Sequence, residues 1–269
     1  MLVSERRQRI LERLFAERHV ESRRLAAEFG VSIDTIRRDI RLLAQKGLLA
    51  RTHGGASWVE DWELRTGVDR DPLLRVKRAI AAKARELLRR GEPIALDVGS
   101  TTYQFARALV ARPPEASLSV ITNDIRIGSY LRNTPGITVT ITGGTLAEGG
   151  YLWGLLTKKS LAGLYFDTAF MGTSGLTLKE GLTDPNPEVA EVKQALIGNA
   201  KRVVLLADHT KFGKRHMYHV AGIEKLDVVV TDELAPAEAL DELRRLKIQT
   251  IVVPVSSGDG VPPDAASGQ

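Results

Sequence analysis

A cluster of arginine and hydroxyl side chains near the start of the 269-residue chain has the chemistry that nucleic-acid recognition requires. Ile36, Ile40 and Leu43 recur at i, i+4 and i+7, which predicts a helix with these three side chains on its buried face. The polar side chains at its start or on its outer face are Ser32, Thr35, Arg37, Arg38 and Arg41. Arginine forms paired hydrogen bonds with guanine edges and with phosphates, and a hydroxyl-rich helix start can hold a phosphate. The pattern therefore predicts a helix that enters the major groove.

A carboxylate among these arginines needs a separate explanation. Phosphate would repel Asp39 unless it were paired, so we expect it to hold an arginine in place. The alternative for the whole cluster is a solvated surface on which Asp34 supports Arg38 four residues later. Beyond the helix, Arg51 and His53 belong to a short predicted hairpin, from which they could reach an adjoining phosphate or the minor groove.

The positive charge of the chain is concentrated at its beginning. The net charge is +5, and residues 1–56 hold 12 Lys and Arg against 7 Asp and Glu, which leaves 26 of each sign in the remainder. A small basic segment beside a neutral body is the charge distribution of nucleic-acid binding, because cationic side chains displace the counterions of phosphates. An arginine-rich solvated surface would have the same net charge.

The elements that must position these side chains follow from apolar spacing and turn residues. Three short helices and a hairpin, turned by Gly54-Gly55, account for the first part of the chain. From Ile94 onward, β-branched runs alternate with amphipathic helices, which predicts an open, mostly parallel α/β sheet with helices on both faces. We therefore expect a winged helix-turn-helix DNA-binding domain at 1–57, a linker at 58–75, an effector domain at 76–255 and a disordered tail at 256–269.

A second candidate site follows the first predicted strand of the effector domain. The segment that ends this strand and opens a helix contains Asp97, Gly99, Ser100, Thr101 and Thr102. Backbone amides at such a junction point outward, glycine permits close approach and hydroxyls add donors, which together suit an anion such as phosphate. The alternative is a glycine turn with a hydroxyl helix cap. Neither G-x-G-x-x-G nor G-x-x-x-x-G-K-[ST] occurs, which argues against dinucleotides and nucleoside triphosphates.

Polar or glycine-rich loops also follow later strands. They comprise residues 122–124, 142–145 and 207–213. In open α/β sheets, ligands bind beyond the carboxyl ends of the strands, so these loops are expected to converge on one pocket. Lys211 is a candidate counter-charge for phosphate, although a loop lysine is often merely solvated. Asp208 could orient Lys211 or bind a hydroxyl, and its alternative is a turn cap.

Two long segments of the sequence resemble a known family. Residues 31–56 read VSIDTIRRDIRLLAQKGLLARTHGGA, which is similar to the DNA-binding segment of the DeoR family of sugar-metabolism repressors. Residues 75–254 resemble the sensor domain of that family, whose fold is shared with ribose-5-phosphate isomerase. The stretches D-V-G-S-T-T, T-N-D, T-G-G-T-L and D-H-T-K-F-G match the family in order. The resemblance implies a winged helix-turn-helix, a repressor and a sugar-phosphate sensor.

The resemblance also implies roles for individual residues. It implies a phosphate cradle at Gly99 to Thr102, and a sugar side of the pocket lined by Asn123, Gly143, Gly144, Asp208 and Lys211. In the segment PNPEVAEVK, Lys193 matches the family pattern. Val189 departs from it, because the family usually has a second acidic residue there, which puts one hydroxyl contact in doubt.

An enzyme of the isomerase fold would need a carboxylate base over the substrate carbon. The comparable segment, FDTAFMGTSG, offers only Asp167, so we predict binding without turnover. One alternative is an active sugar-phosphate isomerase with a DNA-binding arm, which turnover in an aldose–ketose assay would favour. The other is a DNA-binding protein that takes no ligand, which would be favoured if no sugar phosphate changes the thermal stability of the chain.

The remaining expectations concern partners and location. The chain contains no cysteine, which excludes disulfides and thiolate metal sites, and no metal or cofactor is expected. The expected partners are double-stranded operator DNA, a phosphorylated sugar or polyol, and further copies of the chain in a homodimer or homotetramer, because one winged module makes few base contacts. The charged start lacks the apolar segment of a secretory signal, so a cytoplasmic location is expected.

Overall fold

A computed structural model places the chain in two units, Met1–Asp71 and Pro72–Gln269. The structure describes residues 3–17, 19–45, 49–52, 54–57 and 71–255. His53, most of the predicted linker and the predicted tail lie outside these residues, and the finer domain boundaries stay predictions. Within the described part, no helix is long and apolar enough to cross a membrane.

The first unit contains the predicted helices and a small sheet. Its elements are α1 (Val3–Glu17), β1 (His19–Glu21), α2 (Ser22–Phe29), α3 (Ile33–Gln45), β2 (Ala50–Thr52) and β3 (Gly55–Ser57). The core has the apolar side chains expected from helical spacing, including Ile10, Leu14, Leu25, Ile36 and Ile40. The hairpin has a third strand that was not predicted: β1 pairs antiparallel with β3, which pairs antiparallel with β2.

The second unit is built on seven parallel strands. The strands of this sheet are β4 (Ile94–Leu96), β5 (Leu118–Thr122), β6 (Ile137–Ile141), β9 (Phe166–Met171), β12 (Ala200–Leu206), β14 (Val228–Asp232) and β15 (Gln249–Val253). The helices around it are α4 (Leu74–Arg85), α5 (Ser100–Ala111), α6 (Ile125–Leu131), α7 (Leu155–Leu161), α8 (Pro187–Gly198) and α9 (Ala237–Arg245). The predicted open α/β sheet is confirmed, and every pairing within it is parallel.

Two small antiparallel sheets were not predicted. One joins β7 (Thr145–Leu146) and β8 (Leu152–Trp153), and the other joins β10 (Gly175–Thr177), β11 (Gly181–Asp184) and β13 (Tyr218–Ala221). Their strands have two to four residues, which is too short for an alternating pattern to be recognised.

The order of the large sheet identifies where a ligand can bind. The strands lie in the order β15-β14-β12-β9-β4-β5-β6. The chain runs from β4 outward to β6, then returns to β9 on the other side of β4 and continues outward to β15. The order therefore reverses between β4 and β9, and the carboxyl ends of these two strands flank the crevice in which such sheets bind ligands.

Candidate functional sites

Helix α3 begins with the predicted hydroxyl cap. The Oγ atom of Ser32 accepts a hydrogen bond from the backbone N–H of Thr35 at 3.2 Å, and the two side-chain hydroxyls are 2.8 Å apart. Such a cap satisfies a donor that the helix start would otherwise leave free. Both hydroxyl side chains therefore stand at the amino end of α3, where backbone dipoles favour a phosphate.

The carboxylate of Asp39 faces α1 and not the outer surface of α3. Asp39 is only 2% exposed, and its two oxygens accept hydrogen bonds from Nε of Arg6 and Nε of Arg7, each at 2.7 Å. The expectation that Asp39 holds an arginine is confirmed, but both partners belong to another helix. Since the carboxylate of Asp39 is buried and neutralised, it does not oppose the exposed cations Arg38 and Arg41 on the outer surface of α3.

The arginines of α3 differ in their pairing. A guanidinium nitrogen of Arg37 lies 3.4 Å from a carboxylate oxygen of Asp34, three residues earlier on the helix, and both side chains are largely exposed. The alternative pairing of Asp34 with Arg38 is wrong, because the carboxylate turns to the residue three positions on. Arg38 and Arg41 are exposed and have no carboxylate partner within the described residues. These two guanidinium groups are thus available to an external anion.

The hairpin is fixed closely to the start of α2. The backbone N–H of Ser22 donates to the carbonyl of Gly54 at 2.8 Å, and a Cβ atom on Gly55 would lie 1.9 Å from the carbonyl oxygen of Val20. Only glycine therefore allows β3 to approach β1 this closely. Arg51 is exposed on β2, whereas His53 lies outside the described residues.

A groove of about 500 Å³ joins the hairpin to the starts of α2 and α3. Its lining residues are His19, Glu21, Ser22, Arg23, Ile33, Arg37, Thr52 and Gly54. Arg23 was not among the DNA-binding residues predicted from the sequence. Its position in the first turn of α2, the helix that supports α3, could have indicated it. There the backbone N–H groups of the helix start and the guanidinium can bind the same phosphate.

In the second unit, Asp97 and Lys193 are buried against each other at the switch point. One carboxylate oxygen of Asp97 accepts from Nζ of Lys193 and, at 3.0 Å, from the backbone N–H of Gly172 after β9. Lys193 also donates to the carbonyl of Gly172 at 2.9 Å. Burial raises the pKa of Asp97, while the Lys193 ammonium and the backbone donors act against that rise. The pair links β4, β9 and α8 beneath the ligand crevice.

The predicted cradle begins α5 without a side-chain cap. Gly99 is the N-cap residue, with φ of 151°, and within the described residues no cap side chain accepts from the first turn of this helix. The starts of α6 and α8 differ, because Asp124 and Asn186 each accept two backbone N–H groups there. Thr102 donates instead to the carbonyl of Gly99 at 3.0 Å. The first amides of α5 are therefore suited to an anionic ligand.

Around the cradle, Gly99 and Ser100 are half-buried, while Thr101 and Thr102 are buried. A Cβ atom on Gly99 would lie 3.3 Å from the Thr102 hydroxyl, and the backbone conformation at Gly99 is one that other residues rarely adopt. The sequence thus needs glycine at this point for the backbone to turn from β4 into α5.

The loop after β6 is held against α7. The N–H of Gly143 donates to Oγ of Ser160 at 3.0 Å, and the Thr157 hydroxyl donates to the carbonyl of Gly143 at 2.7 Å. Gly144 has φ of 139°, and a Cβ atom there would lie 2.1 Å from the Thr157 hydroxyl. Both glycines therefore set the path of this loop, and Gly143 is exposed at its tip.

Asp208 acts as a turn cap in the structure. Its Oδ1 atom accepts from the N–H of Thr210 at 3.0 Å, at the start of the 3₁₀ turn His209–Lys211. The suggested side-chain contact from Asp208 to Lys211 is wrong, because only the backbone N–H of Lys211 reaches Asp208, at its carbonyl oxygen. Lys211 itself is half-buried.

Several buried oxygens after the strands have no hydrogen-bond partner within the described residues. They are Oδ1 of Asp97, Oδ1 of Asn123, Oγ1 of Thr142 and Oδ2 of Asp208. Asp97, Asn123 and Thr142 directly follow β4, β5 and β6, in which Leu96 pairs with Thr122 and Thr122 with Ile141. They therefore form one row across the sheet. An unsatisfied buried acceptor is costly, so each of these atoms suits a donor such as a hydroxyl.

Some polar residues near the crevice were missed from the sequence. Asp184 is buried and accepts from the Ser174 hydroxyl at 2.9 Å, and the Asn186 amide donates to the Tyr151 hydroxyl at 3.2 Å. Burial and the nearby carboxylates of Glu188 and Asp184 raise the pKa of Tyr151. Tyr151 lies beside the short hairpin of β7 and β8, whose strands are too short to show an alternating pattern.

Family models match both units. The model described as DeoR-like helix-turn-helix domain matches residues 6–61, and the model described as DeoR C terminal sensor domain matches residues 74–233. A ribose 5-phosphate isomerase A from Neisseria gonorrhoeae aligns at 16% identity over 52% of this chain and 53% of that chain, with a TM-score of 0.37. The architecture of the sheet is given by its strand pairing and not by this likeness.

Similar proteins with assigned names are transcriptional regulators. The HTH-type transcriptional regulator GlpR of Haloferax volcanii is 35% identical over 93% of this chain and 98% of its own length. The glycerol-3-phosphate regulon repressor of Escherichia coli K12 is 28% identical over 93% and 98%, and a putative aga operon transcriptional repressor of Escherichia coli O157:H7 is 29% identical over 93% and 94%. With its sensor model matched over residues 74–233 and such a relative along almost its whole length, the chain belongs to the DeoR family of transcriptional regulators.

Proposed function

We propose that this chain is a DNA-binding transcriptional repressor of carbohydrate or polyol catabolism genes, and that a phosphorylated sugar or polyol modulates its affinity for operator DNA. The observation that carries the proposal is the separation of charge on α3. The carboxylate of Asp39 is buried against α1, while Arg38 and Arg41 are exposed. A helix that exposes Arg38 and Arg41 without a carboxylate partner in the described part of the chain, capped by Ser32 and flanked by the hairpin, matches the requirements of the major groove.

The start of α5 supports a phosphate on the effector. Gly99 opens this helix at the switch point of the sheet without a side-chain cap. The several oxygens of a phosphate can together accept hydrogen bonds from the free backbone N–H groups of the first turn. Ser100 and the half-buried Lys211 are the proposed side-chain donors, and Gly143 and Gly144 are proposed to border the same crevice.

The buried oxygens without a hydrogen-bond partner favour an effector that carries hydroxyl groups in addition to its phosphate. Asp97, Asn123 and Asp208 each present an acceptor without a partner in the described part of the chain. A polyol offers several donors at once, whereas an apolar ligand would leave these atoms unsatisfied. Because these atoms are buried, we propose that the loops after the strands open to admit the effector and then close over it. The name of one relative, the glycerol-3-phosphate regulon repressor, agrees with this ligand class.

We propose that the effector is bound and not converted. Asp167, the carboxylate of the segment that carries the base in isomerases, stands at the amino end of β9 and pairs with Lys201 at 2.7 Å. It is therefore at the wrong end of the strand for a ligand at the carboxyl edge. Asp97 is bound by Lys193, so proton abstraction would first require this pair to separate. An aldose–ketose assay with ribose 5-phosphate should detect no turnover above buffer.

Operator binding tests the proposal directly. Fluorescence anisotropy with the promoter of the adjacent operon should give higher affinity than with a random duplex of equal length. Replacing Arg38 by Ala should weaken promoter binding about 5- to 150-fold, as expected for loss of one base or phosphate contact of about 1–3 kcal/mol. The control is Arg245→Ala, which removes the same charge from the exposed surface of α9 and should leave the promoter affinity unchanged. Equal affinity of both variants would contradict the assignment of α3.

The effector half is tested separately. A panel of phosphorylated sugars and polyols should include compounds that raise the melting temperature of the chain and change its promoter affinity, with their unphosphorylated counterparts inactive. If no compound does either, the chain binds DNA without the proposed effector.

A further inference from the structure

Strand β6 is an edge strand with none of the usual protections against pairing. Among the described strands it pairs only with β5. Natural edge strands carry lysine, proline or a bulge to prevent association, whereas β6 reads Ile-Thr-Val-Thr-Ile without a charge. Thr138, Thr140 and Ile141 are exposed on it. Such an edge is a template for another strand.

The opposite edge of the same sheet differs. Strand β15 reads Gln-Thr-Ile-Val-Val and is followed directly by Pro254. Beyond it, the N–H of Val255 donates to the Glu233 carboxylate at 2.7 Å, so this end of the edge is already engaged. The unprotected edge is therefore a particular property of β6.

The sequence of β6 is a palindrome centred on Val139. If two copies of β6 pair antiparallel about a two-fold axis through Val139, each Ile faces an Ile, each Thr faces a Thr, and Val139 faces its own copy. Cross-strand Thr–Thr and β-branched pairs stabilise antiparallel ladders. A self-complementary surface is also what a two-fold interface between identical chains requires.

The backbone has the matching polarity. Gly136 accepts from the N–H of Leu118, and the N–H of Thr142 donates to the carbonyl of Thr122, so the even-numbered residues of this segment bond towards β5. By the alternation of a strand, Ile137, Val139 and Ile141 direct their N–H and C=O groups away from β5, and the N–H of Ile137 already donates to the carbonyl of Thr134 at 3.1 Å. A two-fold pairing centred on Val139 would then form roughly four backbone hydrogen bonds between the copies, because the N–H of Ile137 in each copy is engaged within its own chain.

Apolar side chains continue this surface beyond the strand. Leu155 and Leu156, at the start of α7, are 66% and 62% exposed, and Leu146 on β7 is 57% exposed. A Cβ atom on Gly143 would lie 3.8 Å from Cβ of Leu156, which places the start of α7 beside the loop that leaves β6. Burial of three leucines on each copy would add to the backbone pairing.

We infer that β6 is the interface between two copies of this chain, which join their sheets by antiparallel pairing of residues 137–141 about Val139. The occupant of the edge is a second copy and not another protein, because the palindrome makes the strand complementary to itself. The inference does not depend on the bound effector, and its test requires no DNA.

The first test measures the mass of the full chain in solution. Analytical ultracentrifugation at micromolar concentration should show a dimer or a larger even assembly. The double variant Thr138→Lys with Thr140→Lys should sediment at a smaller mass, because position 138 of one copy faces position 140 of the other and the lysines repel. The control adds two lysines at exposed alanines, Ala82→Lys with Ala111→Lys, and should keep the mass of the original chain. A monomeric original chain, or an unchanged mass of the first variant, would overturn the inference.

The second test measures the register, and it exploits the absence of native cysteine. A refolded or co-expressed mixture of Thr138→Cys and Thr140→Cys chains should form a disulfide-linked dimer on mild oxidation. Each variant alone should not, because identical positions other than 139 lie more than about 7 Å apart between the Cα atoms, beyond the span of a disulfide. Equal cross-linking of either variant alone, or none in the mixture, would refute the proposed register.

Discussion

At the scale of single residues, two buried ion pairs hold together elements that carry the proposed contacts. Asp39 joins α3 to Arg6 and Arg7 of α1, and Asp97 joins β4 to Lys193 of α8. Neither carboxylate is exposed, so neither can bind a ligand directly without a rearrangement. Their roles are to position the cations of α3 and the loops of the crevice. Replacing one partner of such a pair leaves a buried charge without compensation.

Replacing Asp39 by Ala should destabilise the first unit. Loss of the carboxylate leaves the buried Arg6 guanidinium without its partner, which costs about 3–5 kcal/mol for a fully buried pair and less here, since Arg7 is 30% exposed. Urea denaturation followed by circular dichroism measures the change. Asp34→Ala, which removes an exposed carboxylate of the same helix, should change the free energy of unfolding by less than about 0.5 kcal/mol. Equal effects of the two changes would contradict the positioning role of Asp39.

Replacing Gly99 by Ala should impair effector binding more than stability. The backbone conformation at Gly99 costs about 1–3 kcal/mol for a residue with a Cβ atom, and relaxation would turn the first amides of α5 away from the crevice. Isothermal titration with an active sugar phosphate should therefore show at least a tenfold loss of affinity. Gly198→Ala, where a Cβ atom meets nothing within 4 Å, is the matched control and should leave the affinity unchanged. A normal affinity of the Gly99 variant would remove α5 from the proposed site.

At the scale of elements, long amphipathic segments were predictable and short strands were not. Ile36, Ile40 and Leu43 fixed the buried face of α3 because helical periodicity extends over several turns. Strand β1 and the hairpin of β7 and β8 have only two or three residues and depend on partners distant in sequence. For the same reason, Tyr151 and Asn186 gave no signal, and the two arginine partners of Asp39 could not be identified before α1 was placed beside α3.

The hairpin of the first unit supplies a test at this scale. A Cβ atom introduced by Gly55→Ala would meet the carbonyl of Val20, so β3 must separate from β1. We expect the promoter affinity to fall at least tenfold, because Arg51 loses its position relative to α3, while the melting of the second unit is unchanged. The control is Gly30→Ala, where a Cβ atom meets nothing and only the left-handed backbone is disfavoured. A normal promoter affinity of the Gly55 variant would show that the hairpin does not contribute to binding.

At the scale of the whole molecule, the chain divides into two units with separate cores. The core of Ile10, Leu14 and Ile36 lies within the first unit, and that of Phe166, Leu196 and Leu205 lies within the second. A helix-turn-helix and a parallel sheet were both predictable from residue patterns, since each repeats a regular spacing. The edge of the sheet was not predictable, because strand order depends on which strands pair and not on any one of them.

Separate cores should give separate unfolding transitions. Differential scanning calorimetry of the full chain is expected to show two transitions, of which Asp39→Ala lowers only the one assigned to the first unit and an active sugar phosphate raises only the other. Calorimetry at a single protein concentration suffices for this comparison. One transition that both changes shift equally would show that the two units unfold together.

The arrangement of the crevice also bears on how a chain of this fold could change the compound that it binds. The groups proposed to touch a ligand stand on loops that follow the strands, whereas the strands themselves are held by backbone hydrogen bonds that do not depend on side-chain identity. Substitutions confined to those loop tips can therefore alter which compound is preferred without disturbing the framework. Evolution of a new response then requires a handful of changes in one layer of the protein, and the reading of DNA can be inherited intact.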